Sequence, residues 1–331
     1  MTHLEQLIQD LCPNGVKRYK LKEIAEMQRG TSITKKDVVE GTIPVISGGK
    51  EPAYYCNTSN RDADVITVAG SGAGAGYVQY WEQPIFVCDS FSIKGKQDVS
   101  TKYLYYYLTN IQENIYATKK GGGVPHVHIS SIENFQIPLP PLAVQSEIVR
   151  VLDKFTLYKS ELAAELAARL RQYEYYRDKL FTFGDDVECK TLGEIGTFTR
   201  GRRFCRTDII EEGQSCIHYG DIYTYYGLNT TTTKTHLPYD FPVKLRYAEK
   251  GDVVIVGAGE NDMDIGVGVV WEGNDSVAVH DACYIFKHNM NPRYISHYLR
   301  TINYHLQIKK YVNRGKICSI SAEGIAKAVI P

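Results

Sequence analysis

No Cys-x-x-Cys pair occurs in this sequence, although it holds eight cysteines: Cys12, Cys56, Cys88, Cys189, Cys205, Cys216, Cys283 and Cys318. Without such spacing there is no signature of a zinc site or a disulfide framework, and scattered reduced thiols in a cytoplasmic protein are the expectation. The phosphate-loop pattern Gly-x-x-x-x-Gly-Lys-Ser/Thr is absent, so ATP hydrolysis is not encoded, and no Gly-x-Ser-x-Gly elbow marks a nucleophile. No stretch approaches the roughly 18 apolar residues of a membrane span. The first residues also lack the charged-then-apolar order of a secretory signal. Charge of either sign is not in excess: 38 basic residues balance 38 acidic ones. The net charge therefore does not by itself point to nucleic acid.

What is present is a chain of 331 residues, 43% apolar and 23% charged, as in an ordinary globular protein of about two domains. Its main feature is internal repetition. Leu21-Lys22-Glu23-Ile24 with Arg29-Gly30 returns 171 residues later as Leu192-Gly193-Glu194-Ile195 with Arg200-Gly201. In the same order, Asp64-Val65-Ile66 matches Asp252-Val253-Val254, and Trp81-Glu82 matches Trp271-Glu272. Tyr103-Leu104 with Leu108 matches Tyr294-Ile295 with Leu299, Ile129-Ser130 matches Ile320-Ser321, and Ile137-Pro138 matches Ile330-Pro331. The offset drifts from 171 to 193, so two copies share a frame and differ in their loops. A period this long means duplicated domains rather than a solenoid.

Each copy reads as α+β. Leu4, Leu7, Ile8 and Leu11 predict a short helix over 3–12, stopped by Pro13-Asn14-Gly15. Short apolar runs cut by Gly, Asn, Ser and Pro follow: Ile43–Ile46, Val65–Val68, Ile85–Val87 and Phe91–Ile93 predict strands, and Tyr103–Ile115 has helical spacing. Residues 187–331 repeat the scheme. The expected organisation is a first domain over 1–141, a long helix over 142–181 and a second domain over 182–331.

The middle segment differs in kind. After Pro138-Leu139-Pro140-Pro141, the 39 residues from Leu142 to Leu180 contain neither Gly nor Pro. Ile148, Leu152, Phe155, Lys159, Leu162, Leu166, Arg169, Tyr173, Tyr176 and Leu180 step by four and three in alternation, a heptad seam. Such a helix runs about 58 Å, longer than a domain of this mass is wide. It is therefore expected to be half of a coiled coil rather than an amphipathic helix lying on one domain.

Basic residues gather at matching points of both copies. Seven Lys or Arg lie between Lys17 and Lys36, and five between Leu299 and Lys316. Arg200, Arg202, Arg203 and Arg206 crowd the second Arg-Gly turn. A single charge run is most simply a solvated face; recurrence at equivalent points favours a binding surface. Twenty-five tyrosines are expected to add amphipathic surface.

Chemistry is harder to find. Val253–Gly259 looks like a strand entering a dinucleotide fingerprint, but its sixth position is Asp262 and no amphipathic helix follows. Gly70, Gly72, Gly74 and Gly76 occupy the equivalent place, so a shared tight strand-to-strand turn is the simpler account. Asn291-Pro292-Arg293-Tyr294 departs by one residue from an amino-methyltransferase motif and reads better as a helix start, with Asn291 as cap and Pro292 in the first turn. His126 and His128 would share one face of a strand, without an acidic or Cys partner for a metal. No cofactor or metal is expected.

Leu11-Cys12-Pro13-Asn14-Gly15-Val16 leading to Leu21-x-Glu23-Ile24, with Ile137-Pro138-Leu139-Pro140-Pro141-Leu142-x-x-Gln145-x-x-Ile148 before a long helix, resembles the specificity subunit of type I restriction-modification systems. The resemblance covers nearly the whole chain, and the repeated Leu192-Gly193-Glu194-Ile195 supports it. It implies two target recognition domains joined by a coiled-coil-forming helix. It implies a non-catalytic role in host defence, reading a bipartite double-stranded DNA site for methyltransferase subunits, two in number, and for a restriction subunit. The helix would set the spacer and dock those subunits. The chain departs from the family in having no second long helix after Pro331. A second copy of the chain or a methyltransferase subunit is expected to cover the seam, formed by Ile148, Leu152, Phe155, Leu162, Leu166, Tyr173, Tyr176 and Leu180. Two other readings stay open: a truncated scaffold that assembles methyltransferase subunits without specific DNA binding, and a dinucleotide-dependent enzyme.

Loops that match between copies but differ in content are the candidates for DNA contact. In the first copy these hold Arg29, Thr31, Ser32 and Lys35, then Ser47 and Lys50, then Lys119, Lys120 and His126. In the second they hold Arg200, Arg202 and Arg203, then Tyr219, Tyr223 and Tyr225, then Asn261, Arg314 and Lys316. Arg or Lys suits guanine, and Asn suits adenine, in the major groove. For each, a solvated side chain or a phosphate anchor is the competing role.

Overall fold

In the computed structural model, which describes residues 2–34, 36, 38–121, 123–184 and 186–331, the chain divides into two compact units, Met1–Ala164 and Glu165–Pro331. The division falls inside one continuous helix, Leu142–Leu180, which starts directly after Pro141 and ends four residues before Gly184. No helix among the described residues is long and apolar enough to cross a membrane.

The first unit begins with the helix His3–Leu11, whose Thr2 and Glu5 cap one another reciprocally. A two-stranded ribbon, Arg18–Lys20 against Gln136–Pro138, ties the two ends of the domain together. Between them lies an antiparallel sheet in the order Ala25–Arg29, Ser90–Gly95, Val65–Ala69, Val78–Trp81. A second sheet runs Tyr54–Cys56, Ile43–Ile46, Phe86–Val87. Strand Val65–Ala69 is buried along its whole length. Ile66 and Val68 join Phe91, Ile93, Leu104 and Leu108 in the main core, and Val65 packs with Ile46, Ile85 and Val87 in a smaller one. Burial on both faces is why this strand lacks an alternating pattern. The helical spacing read over 103–115 resolves into two helices, Thr101–Asn110 and Gln112–Tyr116, broken at Ile111.

The second unit repeats this frame with strands added to both sheets. Lys190–Thr191 pairs with Val329–Ile330. The main sheet runs Gly196–Arg200, Cys283–His288, Val253–Val256, Gly268–Trp271, with Asn229–Thr230 added at its edge. The second sheet runs Thr235–Leu237, Gln214–Ile217, Val277–Val279, Tyr247–Ala248. The helix Tyr219–Thr224 has no counterpart in the first unit.

Equivalent side chains make equivalent bonds. Tyr103 Oη donates to the Pro138 carbonyl at 2.6 Å, and Tyr294 Oη donates to the Pro331 carbonyl at 2.8 Å. Lys102 pairs with Glu82 at 2.9 Å, and Arg293 with Glu272 at 2.7 Å. Ser100 and Asn291 cap the equivalent helices, and Pro292 occupies the first turn as expected. Tyrosine is accordingly not only a surface residue. Tyr103, Tyr226, Tyr298 and Tyr304 are buried, which their hydroxyls tolerate because each bonds a backbone group.

Gln145 explains the Pro-Pro-Leu-x-x-Gln motif. Its amide donates to the carbonyls of Asp98 and Pro140 and accepts from the Ser100 N–H, fixing the entry of the long helix to its domain. Ile148 and Val149 then pack against the first core, so Ile148 serves the domain as well as the seam. From 154 to 176 every residue of the helix is exposed, Leu162 at 66% and Leu166 at 61% among them. Within the second unit, Tyr173 Oη lies 3.2 Å from His297 Nδ1, and Asp178 accepts the Ile302 N–H.

Candidate nucleic-acid interface

The repeated Arg-Gly turn sits where the first strand of each main sheet meets the loop entering the neighbouring strand. A Cβ on Gly30 would stand 2.2 Å from the Cys88 carbonyl oxygen, and one on Gly201 would stand 2.2 Å from that of His280. Only glycine permits this approach, so packing alone accounts for the recurrence of glycine. The arginines before them are a separate matter. Both are exposed. Arg29 makes no side-chain hydrogen bond or ion pair among the described residues, and Arg200 donates through Nε to the Asp281 carbonyl at 2.7 Å.

Each of these arginines is held by another. Arg61 donates through Nη2 to the Arg29 carbonyl at 2.8 Å, and Arg246 donates through Nη1 to the Arg200 carbonyl at 2.6 Å. Arg61 also bonds Ser92 Oγ and the Asn60 carbonyl, and burial lowers its pKa from the ordinary arginine value. Sequence reasoning missed both Arg61 and Arg246, because their neighbours in the chain bear no likeness to one another.

In the first unit the structure brings several expected contact residues to one place. A cavity of about 380 Å³ is lined by Arg29, Asp89, Ser90, His126, His128 and Ser130, among others. The His126 and His128 rings stack parallel 6.0 Å apart, on one face as the spacing implied. Lys120 and His126 exchange both backbone hydrogen bonds, and the glycine-rich loop is tied to this segment by the Gly72 N–H donating to the Pro125 carbonyl and the Val127 N–H donating to the Gly70 carbonyl. The loop bearing Ser47 and Lys50 closes over the same glycines, with Gly74 against the Gly48 carbonyl. The glycine-rich stretch is thus a hairpin loop pressed between two other loops, longer than the tight turn anticipated. Lys50 lies 5.1 Å over the Tyr77 ring and Lys119 4.0 Å over that of Tyr116. Thr31 and Ser32 are exposed beside Gly30, and Lys35 lies outside the described residues.

In the second unit Arg200, Arg202 and Arg203 border an aromatic cluster of buried Phe204, His218 and His280 with half-buried Tyr219. His280 Nδ1 accepts from the Ala282 N–H, and its Nε2 lies 3.0 Å from the Phe204 carbonyl, which fixes a neutral ring with its proton on Nε2. His218 caps the helix Tyr219–Thr224 by accepting the Gly220 N–H. Burial first, then His280 and Arg206, push the His218 pKa down to about 4. Tyr223 is half-buried beside Tyr219, and Tyr225 is exposed under Lys234. Asn261 spends its side-chain oxygen on the Met263 N–H, and Arg314 is paired with Asp262 at 3.2 Å at the rim of a separate cavity of about 520 Å³. Lys316 is exposed. Among the described residues no group of His, Cys, Asp and Glu is arranged to hold a metal.

Residues 13–172 match the model of the type I restriction modification DNA specificity domain. The chain is 32% identical over 233 residues to the EcoR124I/EcoR124II type I restriction enzyme specificity subunit of Escherichia coli, covering 61% of this chain and 52% of that one. It is 40% identical over 192 residues to the MpnII specificity subunit of Mycoplasma pneumoniae, covering 53% and 55%. The chain thus spans about half the length of these curated relatives. Among solved structures, the S subunit of a type I restriction-modification system from M. genitalium shares the fold with a TM-score of 0.55 at 18% identity, over 96% of this chain and 85% of that one. A chain from a study of the assembly and conformational transition of the type I system superposes with a TM-score of 0.59 at 16% identity, over 96% and 86%. Residues 13–172 thus carry the likeness to the type I restriction modification DNA specificity domain, and with its duplicated frame and long helix the chain is similar to the specificity subunits of type I restriction-modification systems.

Proposed function

We propose that this chain reads a two-part DNA sequence on behalf of enzymes that modify and cut DNA, and makes no bond itself. The observation that carries the reading is one sheet-and-helix frame built twice with unlike loops. A shared frame with divergent surface content is what recognition of two unrelated half-sites requires. Bases are read by Thr31, Ser32, Ser47, Lys50, Lys119, Lys120 and His126 in one half, and by Arg202, Arg203, Tyr219, Tyr223, Tyr225 and Lys316 in the other. Asn261 and Arg314 join them by exchanging their present partners for base edges. Arg29 and Arg200 belong to the same surface, and Lys35 is assigned there by sequence alone.

The long helix acts as a ruler for the unread spacer. Its uninterrupted 39 residues correspond to about 58 Å. Phe155, Leu162, Leu166, Tyr173, Tyr176 and Leu180 are exposed, and Leu152 is half-buried. A contiguous apolar stripe of this kind implies a covering partner, here the methyltransferase subunits or the helix of a second copy. Adenine methylation and cleavage fall to the partner subunits. Co-expression with a methyltransferase subunit, followed by mapping of modified adenines in host DNA, tests the proposal. A gapped motif with two constant halves supports it. A bound subunit with no motif would leave the chain as an assembly scaffold and overturn it.

A further inference from the structure

The candidate contact residues do not all do the same job, and the repeat separates them. Two domains that read different bases still meet one common chemical feature, the phosphate backbone. Residues shared by both copies at superposable positions should therefore serve the backbone, and residues that differ should serve the bases. Arg29 and Arg200 are shared: each precedes the glycine that packs on the neighbouring loop, and each has its carbonyl held by a second arginine. The next residue in register is not shared. Thr31 N–H bonds the Val87 carbonyl and Arg202 N–H bonds the Val279 carbonyl, so Thr31 and Arg202 occupy one position with different side chains.

Resting on the DNA-reading function above, we infer that Arg29 and Arg200 each bind a DNA backbone phosphate, one per half-site, and that Arg61 and Arg246 are positioning residues that hold their main chains. The geometry suits this role. Among the described residues nothing bonds the Arg29 guanidinium, and Arg200 keeps both terminal nitrogens after its bond to the Asp281 carbonyl. Arg29 also borders the cavity that holds His126, His128 and Ser130. Of these, His128 and Ser130 would add hydrogen bonds to the same anion in the first unit, while His126 faces the bases. Arg61, with three acceptors on three different segments, and Arg246 are anchored by the fold rather than offered to a ligand.

The test uses the full chain and two duplexes, one carrying its mapped motif and one with that motif scrambled, titrated over a range of NaCl concentrations. R29A and R200A should each reduce the slope of log affinity against log salt by about 0.9, one phosphate contact. They should weaken both duplexes by the same factor, leaving the preference between them unchanged. R29K, which keeps a point charge, should retain the slope, whereas a bidentate guanine contact would not survive that change. R202A should change the preference instead. R61K and R246K should reproduce the slope loss, with R29A/R61K no worse than R29A. A slope unchanged in R29A, or a preference that collapses in it, overturns the phosphate assignment while leaving DNA reading intact. A melting point lowered by R61K with the slope unmoved overturns the positioning role. Wild-type protein without preference between the duplexes would instead strike at the DNA-reading function itself.

Discussion

Replacing Gly30 or Gly201 with alanine should cost far more than a surface substitution, although both lie at loop starts. The added Cβ on Gly201 would sit 2.2 Å from the His280 oxygen and 2.3 Å from the Val279 oxygen; on Gly30 it would meet Cys88, Val87 and Ser90 oxygens at 2.2, 2.7 and 2.8 Å. All of these are backbone atoms, so no side chain can swing aside. The turn must move by about 1 Å to restore ordinary contact, since carbon and its neighbours prefer roughly 3.5 Å. That movement strains two bonds in each unit: Gly30 N–H to Ser90 and Thr31 N–H to Val87, or Gly201 N–H to Cys283 and Arg202 N–H to Val279. Overpacking of about 1–3 kcal/mol plus two weakened hydrogen bonds at about 0.5–1 kcal/mol each gives about 2–5 kcal/mol. For a unit of this size the melting temperature should fall by about 4–20 °C. The controls are G123A and G227A, whose added Cβ atoms meet nothing within 4 Å. If G30A and G201A melt with these controls in a thermal scan, the recurrence of Arg-Gly is not a packing requirement, and the account of the turn is wrong.

Other perturbations probe the shared frame and its buried groups. Y103F and Y294F each remove a hydroxyl from a proline carbonyl and should cost about 1 kcal/mol apiece in urea unfolding; a neutral result would show that the tie between helix and domain end is unimportant. The His218 pKa is depressed by burial to about 4, so the neutral ring contributes stability that is complete above the ordinary value of 6.5. That stability should drain away as pH falls from 6.5 toward 4. H218N, which keeps a capping side chain, should flatten the pH dependence of melting over that window; an unchanged slope would refute the assignment. Arg293 holds the Glu272 carboxyl below the usual carboxylate range. Stability from this pair should thus be present at neutral pH and lost on acidification below the ordinary glutamate value. R293M should unfold less steeply in acid than the parent protein, measured by circular dichroism.

Much of this architecture was legible in the sequence because duplication prints a frame twice. Matching segments such as Leu21–Ile24 and Leu192–Ile195 fixed the equivalent positions. The long helix was legible, expected over 142–181 and found at Leu142–Leu180, because nothing between these residues can break it. What escaped notice depends on contacts between distant segments. Arg61 and Arg246 carry equivalent bonds in dissimilar surroundings, so no local likeness flags them. Asn261 looked like a base reader by residue type, yet its oxygen is used in capping its own turn. The tyrosines looked like surface by composition, but backbone carbonyls inside each domain accept their hydroxyls. The glycine-rich loop had a hairpin's position without a hairpin's usual brevity, because it must fit between two other loops.

The most direct test of the central claim lengthens the ruler. Inserting one seven-residue heptad after Ala164 adds about 10.5 Å of helix, which corresponds to about three base pairs at 3.4 Å each. With a methyltransferase subunit co-expressed, the modified motif should keep both of its halves and gain about three unread positions between them. The same two halves at an unaltered separation would contradict a helix that measures DNA.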